Sequence, residues 1–437
     1  AAEAKATGQW SIKVLVISPT RELASQIYEE ALQLCKFHDL TMQVVVGGTN
    51  MNKDITNFKK NPDILVATPG RLNDHLENGN LANKIKDLKV LVFDEADQLL
   101  DMGFRPAIEK TLKMLAPKDT RQTLLFSATM PDDVSGIAKL AMRSTEFAFV
   151  DTVGEEENTH AHVEQRVVVT NVQQQAGELM SQIIAARKVS GHKIVVFFTT
   201  ARITQFYAEL FNLMGEDVLE MHSRLSQSKR TKVSDVFREG SNLVMFSSDV
   251  SARGLDYPDV STVIQVGMPS DRAQYIHRLG RTARAGKGGA GILLLCDFES
   301  KFLNEIKDLP LLTCQPGELG GTEGTAAADM ETALKKMNPI TIATAYQAWL
   351  GYYNGALRRV GWRKEQLVDN ANDMVLNAWK AREIPALEPK TVGKMGLKGV
   401  PGLNVRHGSA GNAALGGGGG GARARGGAAR GGGAARG

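Results

Sequence analysis

The 437-residue sequence contains only three cysteines, Cys35, Cys296 and Cys314, and none of them forms a CxxC pair. This scarcity argues against a zinc site or a disulfide framework and is typical of a reducing compartment. No stretch reaches the ~18 consecutive apolar residues that a membrane-spanning helix needs, so we expect no membrane association. The composition, 43% hydrophobic and 23% charged, is that of an ordinary globular protein. The length allows two or three domains.

Excess positive charge is confined to the C-terminal part of the chain. From Lys335 onward there are 16 Lys and Arg against 5 Asp and Glu, although the whole chain has a net charge of only +4. A basic segment attached to a mildly acidic body predicts an arm that binds a polyanion. The alternative is a solvated charged surface.

Short apolar runs alternate with helical patterns along most of the chain, which predicts an α/β fold with parallel sheets. The predicted strands are Ile12–Ile17, Met42–Val46, Asp63–Val66, Val90–Phe93 and Thr123–Phe126, then Val167–Thr170, Lys193–Phe198, Leu243–Ser247, Thr262–Val266 and Gly291–Leu295. The intervening helices include Glu22–Phe37 and Arg105–Leu115. The two series of strands indicate two sheet domains in tandem.

Changes in amino-acid composition along the chain predict where its domains and linkers begin and end. We predict a first domain over residues 1–150, a polar linker over 151–165, a second domain over 166–315 and a linker over 316–329. A helical extension is expected over 330–407. The Gly/Ala/Arg-rich tail 408–437 cannot bury a core and is expected to be disordered.

Three carboxylates, Asp94, Glu95 and Asp97, directly follow the apolar run Val90–Phe93. In open parallel sheets, ligands bind beyond the carboxyl ends of the strands, where these acids would lie. There, a carboxylate can hold Mg²⁺ through water, and a neighbouring Glu can orient a water for attack on a phosphate. A helix N-terminus, where acidic residues are favourable, is the alternative.

Small, hydroxylated or basic residues follow the other strands of both domains. They include PTRELA (19–24), TPGR (68–71), SAT (127–129) and SSDVSARGLD (247–256). Such residues can bind phosphate oxygens through hydroxyl, backbone N–H and guanidinium groups. In 275–287, Arg278, Arg281 and Arg284 recur every three residues, so on a helix they would share one face and could act as arginine fingers. A solvated basic helix is the alternative.

These motifs, together with Gly47-Gly48, DEAD (94–97) and HRLGRTARAG (277–286), occur in the order found in the DEAD-box RNA helicases, which residues 11–310 resemble. The resemblance implies two RecA-like domains that close on ATP, Mg²⁺ and single-stranded RNA, in a protein expected to be monomeric. It implies that Asp94 binds Mg²⁺ through water and that Glu95 positions the attacking water.

Further roles follow from the same resemblance. Asp97 and His277 would form an inter-domain latch, and Ser127 and Thr129 would couple hydrolysis to unwinding. Arg281 and Arg284 would be the arginine fingers, and Asp256 the ribose contact. The implied contacts to the RNA backbone, largely independent of base sequence, are Thr20, Arg21, Gly48, Thr68, Arg71, Ser248 and Arg253.

Residues 345–362 and 390–403 resemble the C-terminal extension of the mitochondrial-type DEAD-box RNA chaperones, some of which assist RNA splicing. We therefore expect a mitochondrial location, with a nuclear or cytoplasmic one as the alternative. Tyr346, Trp349 and Tyr353 have the spacing of a core-facing helix, although aromatic residues can also stack on RNA bases. The basic pairs Arg358-Arg359 and Arg363-Lys364 are assigned to RNA, and the Arg/Gly tail to RNA tethering or to an inert linker.

The sequence departs from this family in one major way, because it contains no G-x₄-G-K-[ST] phosphate loop. The resemblance implies such a loop before PTRELA, where only Ala1–Trp10 precede the first strand. We therefore expect an N-terminally truncated helicase whose first domain is incomplete, with an open central slot in its sheet. Two milder departures are Ser248, where Thr is usual, and Ala283, where Gly is usual.

The sequence thus predicts an ATP-dependent RNA helicase or RNA chaperone that remodels structured RNA. The alternative is an RNA-binding protein that does not use ATP, built on the second domain, the extension and the tail. A metabolic P-loop ATPase is disfavoured, since it leaves the paired motifs and the basic tail without a purpose.

Overall fold

A computed structural model describes residues 10–79, 81–130, 132–143, 147–150, 163–251, 256–283, 288–318 and 325–406. The first domain contains five strands: β1 (Val14–Ile17), β2 (Met42–Val45), β3 (Ile64–Ala67), β4 (Val90–Phe93) and β5 (Gln122–Leu125). Its helices are α1 (Arg21–Leu34), α2 (Met51–Phe58), α3 (Pro69–Asn78), α4 (Leu81–Lys84), α5 (Ala96–Asp101), α6 (Arg105–Met114) and α7 (Asp132–Ala141).

The five strands form one parallel sheet in the order β2-β3-β1-β4-β5. The expected open central slot is wrong, because β1 pairs with β3 on one side and with β4 on the other along its whole length. The least buried strand of this sheet is β5, whose residues are half-buried or exposed to solvent. The exposed Phe126 follows it. Within the described residues, β2 and β5 are therefore the edges of a continuous sheet.

The second domain contains seven strands: β6 (Glu164–Thr170), β7 (Lys193–Phe198), β8 (Leu219–Met221), β9 (Leu243–Ser247), β10 (Thr262–Val266), β11 (Ala290–Cys296) and β12 (Leu311–Cys314). They form a parallel sheet in the order β12-β6-β11-β10-β7-β9-β8. Its helices are α8 (Gln175–Ala186), α9 (Ala201–Leu213), α10 (Gln227–Glu239) and α11 (Arg272–Leu279), with 3₁₀ segments at Asp249–Ser251 and Asp297–Glu305.

Central strands of this sheet are buried on both faces. All six residues of β7 and all five of β10 are buried, which is why their sequences are mostly apolar and do not alternate between apolar and polar residues. β8 and β12 lie at the two edges, where fewer side chains are buried, and these two strands were not predicted.

The helical extension consists of α12 (Thr325–Lys336), α13 (Pro339–Gly355), α14 (Leu357–Val360), α15 (Lys364–Asp373), a π-helical turn at Met374–Ala378 and α16 (Pro389–Lys394). The predicted linker 316–329 is too long, because α12 already begins at Thr325. The first predicted linker is also too long, since β6 begins at Glu164. The predicted tail, the rest of that first linker and residues 319–324 lie outside the described residues. No helix in the described ranges is long and apolar enough to cross a membrane.

The extension packs on the second domain and shares its hydrophobic core. Tyr346, Trp349 and Tyr353 are 0%, 6% and 3% exposed, so the prediction that they are core residues is confirmed. Trp349 lies 4.4 Å from Tyr353 and 6.1 Å from Phe298, measured between ring centroids. Farther along the extension, Trp379 stacks on Phe206 with a 4.1 Å centroid distance.

We predict that Trp349→Ala destabilises the second domain by about 3–5 kcal/mol, because it removes a buried aromatic side chain and leaves a cavity. Ile340 on the same helix is 69% exposed, so Ile340→Ala provides a matched control that should change stability by less than about 0.5 kcal/mol. Urea unfolding followed by circular dichroism measures both. Equal effects of the two substitutions would contradict a shared core.

Candidate active site and RNA interface

Asp94 and Glu95 lie at the carboxyl end of β4, beside the ends of β1 and β5. The backbone N–H of Asp94 donates to the carbonyl of Ile17 (3.0 Å), and that of Ala96 donates to the carbonyl of Phe126 (2.9 Å). These bonds continue the sheet ladder just past the strands. They hold the two carboxylates at the edge where ligands bind in parallel sheets.

Glu95 adopts a left-handed backbone conformation, with φ 51° and ψ 56°. Such a conformation costs a non-glycine residue about 1–3 kcal/mol, and it is found most often at functional sites. The carboxylate oxygen Oε2 of Glu95 is buried and has no hydrogen-bond partner among the described residues. A buried carboxylate oxygen without a donor fits a site that binds a water molecule or a cation.

Burial, and secondarily the charge of Glu95, raise the pKa of Asp94 to about 6, although the backbone N–H of Glu95 partly opposes this shift. Burial and the neighbouring carboxylate of Glu95 thus both disfavour the ionised form of Asp94. A divalent cation beside Asp94 would supply compensating positive charge and favour the ionised carboxylate. The two residues therefore fit Mg²⁺.

We predict that Asp94→Asn stabilises the ligand-free protein at about pH 7.5 by about 2–3 kcal/mol. The folded pKa of about 6 lies above the ordinary value of 3.8, so the ionised carboxylate costs stability as the pH rises from about 4 through 6. At about pH 4 the two proteins should be equally stable, because Asp94 is then protonated when folded.

Urea unfolding in a chelator at both pH values measures this difference. The control is Asp74→Asn, since Asp74 is exposed on α3. A stabilisation by Asp94→Asn that is the same at both pH values would contradict the assignment.

Asp97 joins the first domain to the second. Its Oδ2 accepts a hydrogen bond from Thr129 Oγ1 (2.9 Å) and lies 3.7 Å from His277 Nε2 of the second domain. Ser127 Oγ donates to the carbonyl of Thr129 (2.7 Å) and accepts from the backbone N–H of Asp97 (3.2 Å). The structure thus brings together Asp97, Ser127, Thr129 and His277.

A second inter-domain contact was missed by the sequence analysis. Arg230 Nη1 of α10 lies 3.0 Å from Glu22 Oε1 of α1, and both side chains are buried. Gln227 Nε2 donates to the same Glu22 oxygen (3.0 Å), while Arg21 Nη1 donates to Gln227 Oε1 (3.3 Å). The only available signal was the Q-x-x-R spacing, which places both residues on one face of the first turn of a polar helix.

Arg21 lies directly over the Gly47-Gly48 backbone. A Cβ at Gly48, where φ is +77°, would come within 2.4 Å of Arg21 Nη1, so no larger residue fits without moving this guanidinium. Thr20 caps α1 by accepting from the N–H of Leu23 (3.2 Å), and the N–H of Gly47 donates to Thr68 Oγ1 (3.4 Å). Thr20, Arg21, Gly48 and Thr68 thus belong to one edge of the first domain, and their contacts with RNA stay a prediction.

Arg71 differs from the expected phosphate ligand, because its guanidinium is buried and paired within the first domain. Its Nη1 lies 2.6 Å from Asp54 Oδ2, and its Nη2 donates to the carbonyl of Thr49 (2.8 Å). His75 Nε2 lies 3.1 Å from the same Asp54 oxygen. The charge of Arg71 therefore helps to fix the loop after Gly48, and its contact with the RNA backbone stays a prediction.

The predicted shared face of the three arginines is wrong. α11 ends at Leu279, so Arg281 lies beyond the helix, and Arg284 lies outside the described residues. Arg278 is fully buried in its own domain, where its Nη2 lies 2.7 Å from Asp249 Oδ1. Of the two predicted fingers, Arg281 is described; its Nε donates to the carbonyl of His277 (3.3 Å), next to the Asp97 junction.

The remaining predicted residues are located as follows. Ser248 follows β9 and is buried, and its N–H donates to the carbonyl of Met221 (3.1 Å). The N–H of Asp256 donates to Gln26 Oε1 of the first domain (2.8 Å), a further contact between domains. Arg253 lies outside the described residues. The ribose and RNA roles of these three residues stay predictions.

Ala283 has φ +55°, a left-handed conformation that favours glycine. This explains physically why Gly is the residue expected at this position. Alanine there is strained by about 1–2 kcal/mol. The departure from Gly at this position is thus primarily a change in backbone strain.

Two tandem RecA-like domains, with acidic residues on one facing edge and arginine and histidine residues on the other, define the class of two-domain helicases. The DEAD/DEAH box helicase family matches residues 3–137, and the Helicase conserved C-terminal domain matches residues 175–286. The chain belongs to the DEAD-box ATP-dependent RNA helicase family.

Relatives support this assignment at high identity. DEAD-box ATP-dependent RNA helicase 26 of Oryza sativa subsp. japonica is 47% identical over 90% of this chain, and helicase 25 of the same organism is 45% identical over 90%. The chain spans 73% and 66% of their lengths, and 55% of DEAD-box ATP-dependent RNA helicase 31 of Arabidopsis thaliana, which is 45% identical.

Solved structures agree with the whole described architecture. Mss116p (NTE and C-tail double deletion), bound to ssRNA and AMP-PNP, superposes with a TM-score of 0.78 at 28% identity, covering 93% of this chain and 84% of Mss116p. S. cerevisiae Dbp5 bound to RNA and ADP BeF3 superposes with a TM-score of 0.60 at 25% identity, covering 75% and 82%. The coverage by Mss116p exceeds that by Dbp5.

Proposed function

We propose that this protein is an RNA helicase and RNA chaperone that couples ATP hydrolysis to closure of its two domains, and so unwinds or remodels structured RNA. The observation that carries this proposal is the Asp97 junction. One carboxylate there contacts Thr129 of its own domain and approaches His277 of the other (3.7 Å). A change in the first-domain site can therefore alter how the second domain docks.

Asp94 and Glu95 are the residues that would hold Mg²⁺ and orient the attacking water. Bound Mg²⁺ would offset the charge that develops on the phosphates during hydrolysis. Glu95 has a buried oxygen without a hydrogen-bond partner among the described residues, which could accept a proton or a hydrogen bond from water. Arg281, beside His277, would stabilise negative charge from the second domain.

RNA would bind along the edge formed by Thr20, Arg21, Gly48 and Thr68, and by Ser248 across the cleft. Hydroxyl, backbone and guanidinium groups contact phosphate and sugar, so affinity should depend on salt and little on base sequence. Arg21 also contacts Gln227 of the second domain (3.3 Å), so the RNA-binding edge of one domain is joined to the other. The likeness to Mss116p bound to ssRNA supports this location.

A role in RNA splicing and a mitochondrial location are narrower proposals. They rest on the resemblance of the helical extension to that of the mitochondrial-type RNA chaperones.

We predict that Glu95→Gln lowers RNA-stimulated ATP hydrolysis at least about 100-fold, the usual loss when a general base is removed. RNA binding should remain within about twofold, since Glu95 is not on the RNA-binding edge. Phosphate release with and without single-stranded RNA measures the first effect, and fluorescence anisotropy of a labelled RNA measures the second.

Glu239→Gln is the control, because Glu239 is exposed at the end of α10. RNA binding that is insensitive to nucleotide, with no hydrolysis by the unsubstituted protein, would instead indicate an RNA-binding protein that does not use ATP.

A further inference from the structure

The loop 267–271, which joins β10 to α11, is held by the helical extension. Three successive backbone carbonyls of this loop accept hydrogen bonds from it. Tyr352 of α13 donates to the carbonyl of Met268, and Arg359 of α14 donates through Nη1 to the carbonyls of Pro269 (3.0 Å) and Ser270 (2.6 Å). The extension therefore fixes the start of the helix that carries His277.

Arg359 is itself held on its other side. Its Nε and Nη2 donate to the two carboxylate oxygens of Glu305 (2.9 and 3.0 Å), and its guanidinium lies 5.4 Å from the ring centroid of Phe302. A bidentate pair fixes the plane of the guanidinium, which leaves Nη1 directed at the two carbonyls. Lysine could not make both sets of contacts.

The inner side of the same loop rests on Glu299, which is fully buried. Glu299 accepts from the N–H of Met268 (2.5 Å), the N–H of Cys296 (2.8 Å) and the hydroxyl of Tyr353 (2.6 Å). A Cβ at Gly267 would lie 2.8 Å from Thr199 Cγ2, so the loop can approach Glu299 this closely only with glycine there. The extension thus contacts the outer side of the loop directly and, through Tyr353, also contacts the carboxylate on which its inner side rests.

Farther along, α11 is held by its own domain. Arg278 pairs with Asp249 (2.7 Å), and the hydroxyl of Tyr275 donates to Gln165 (3.0 Å). His277 lies between these two anchors and points to Asp97 of the first domain. The position of His277 along the cleft is therefore set by these two anchors together with the loop, which places the N-terminus of α11.

We propose that Arg359, with Tyr352, is a positioning residue that sets the docking of α11 against the first domain. The helical extension thereby controls the latch formed by His277 and Asp97 and the adjacent Arg281. This inference gives the extension a role in the proposed ATP-driven cycle, on which it rests, in addition to any contact with RNA. It also corrects the assignment of Arg359 to RNA, because its guanidinium is directed into the second domain.

The adjacent Arg358 provides a matched control for testing the role of Arg359. Arg358 is exposed, while Arg359 is half-buried and paired, so Arg359→Ala and Arg358→Ala remove the same charge from neighbouring positions. Hydrogen–deuterium exchange of the full chain without nucleotide reports the loop and α11 directly. Arg359→Ala should speed exchange over residues 267–283 at least tenfold, Arg359→Lys should give most of that increase, and Arg358→Ala should stay within twofold.

The kinetics of ATP hydrolysis distinguish a role of Arg359 in positioning α11 from a role in binding RNA. With the full protein, Arg359→Ala should lower the kcat of RNA-stimulated ATP hydrolysis at least fivefold and leave the KM for RNA within twofold. Absence of hydrolysis in the unsubstituted protein would refute the proposed function, while the exchange result would still decide the positioning role.

Two results would overturn the inference. One is unchanged exchange over residues 267–283 in Arg359→Ala. The other is a rise in exchange spread evenly over the second domain, which would indicate a general loss of stability. If Arg359→Ala fails to fold, Glu305→Gln provides the second variant, because Glu305 lies at the surface. It should speed exchange in the loop about threefold, and no change in the loop would again refute the inference.

Discussion

The architecture depends on one buried carboxylate, that of Asp97. It is 3% exposed, and a buried charge without partners destabilises a protein by about 3–5 kcal/mol. Thr129 contributes a hydroxyl from the neighbouring strand end, and His277 approaches from the other domain. The first domain alone would leave this carboxylate less well compensated. Docking of the second domain is thus favoured by a group that belongs to the DEAD motif itself.

Other features of the cleft carry local costs that the rest of the fold must offset. Glu95 has a left-handed backbone, Asp94 has a raised pKa, and Ala283 occupies a conformation suited to glycine. The stability that tolerates these costs comes from two fully parallel sheets and from the core that the extension shares with the second domain. The extension is therefore part of the folded unit that holds the arginine and histidine side of the site.

Sequence reasoning located several strands well because they are short runs rich in apolar and β-branched residues. Val90–Phe93, Lys193–Phe198, Leu243–Ser247 and Thr262–Val266 were predicted with the bounds that the structure has. The edge strands β8 and β12 were missed, since three or four partly exposed residues give too weak a periodicity. The motif order also identified the family and most residues of the cleft.

Apart from the Asp97–His277 pair, which the family resemblance implied, pairings between distant residues could not be predicted. Arg71, Arg278 and Arg359 looked equally suited to bind phosphate, because a sequence does not reveal that Asp54, Asp249 and Glu305 lie beside them. Glu22 and Arg230 are separated by more than 200 residues along the chain, and the only signal of their pairing was the Q-x-x-R spacing of Gln227 and Arg230. The sequence analysis also expected a gap at the centre of the first sheet, whereas the least buried strand, β5, lies at its edge. This depends on the order of the strands in the sheet, which local sequence propensities do not specify.

The link between the two domains is tested most directly by a double-mutant cycle between Asp97→Asn and His277→Ala. The quantity measured is the free energy of domain closure. Fluorescence energy transfer between one label on each domain, followed as single-stranded RNA and an ATP analogue are added, gives the free energy of closure for all four proteins. If Asp97 and His277 act together, the double mutant should lose less than the sum of the single losses, with a coupling energy of about 0.5–3 kcal/mol. Strictly additive losses would contradict the claim that this carboxylate joins the two domains.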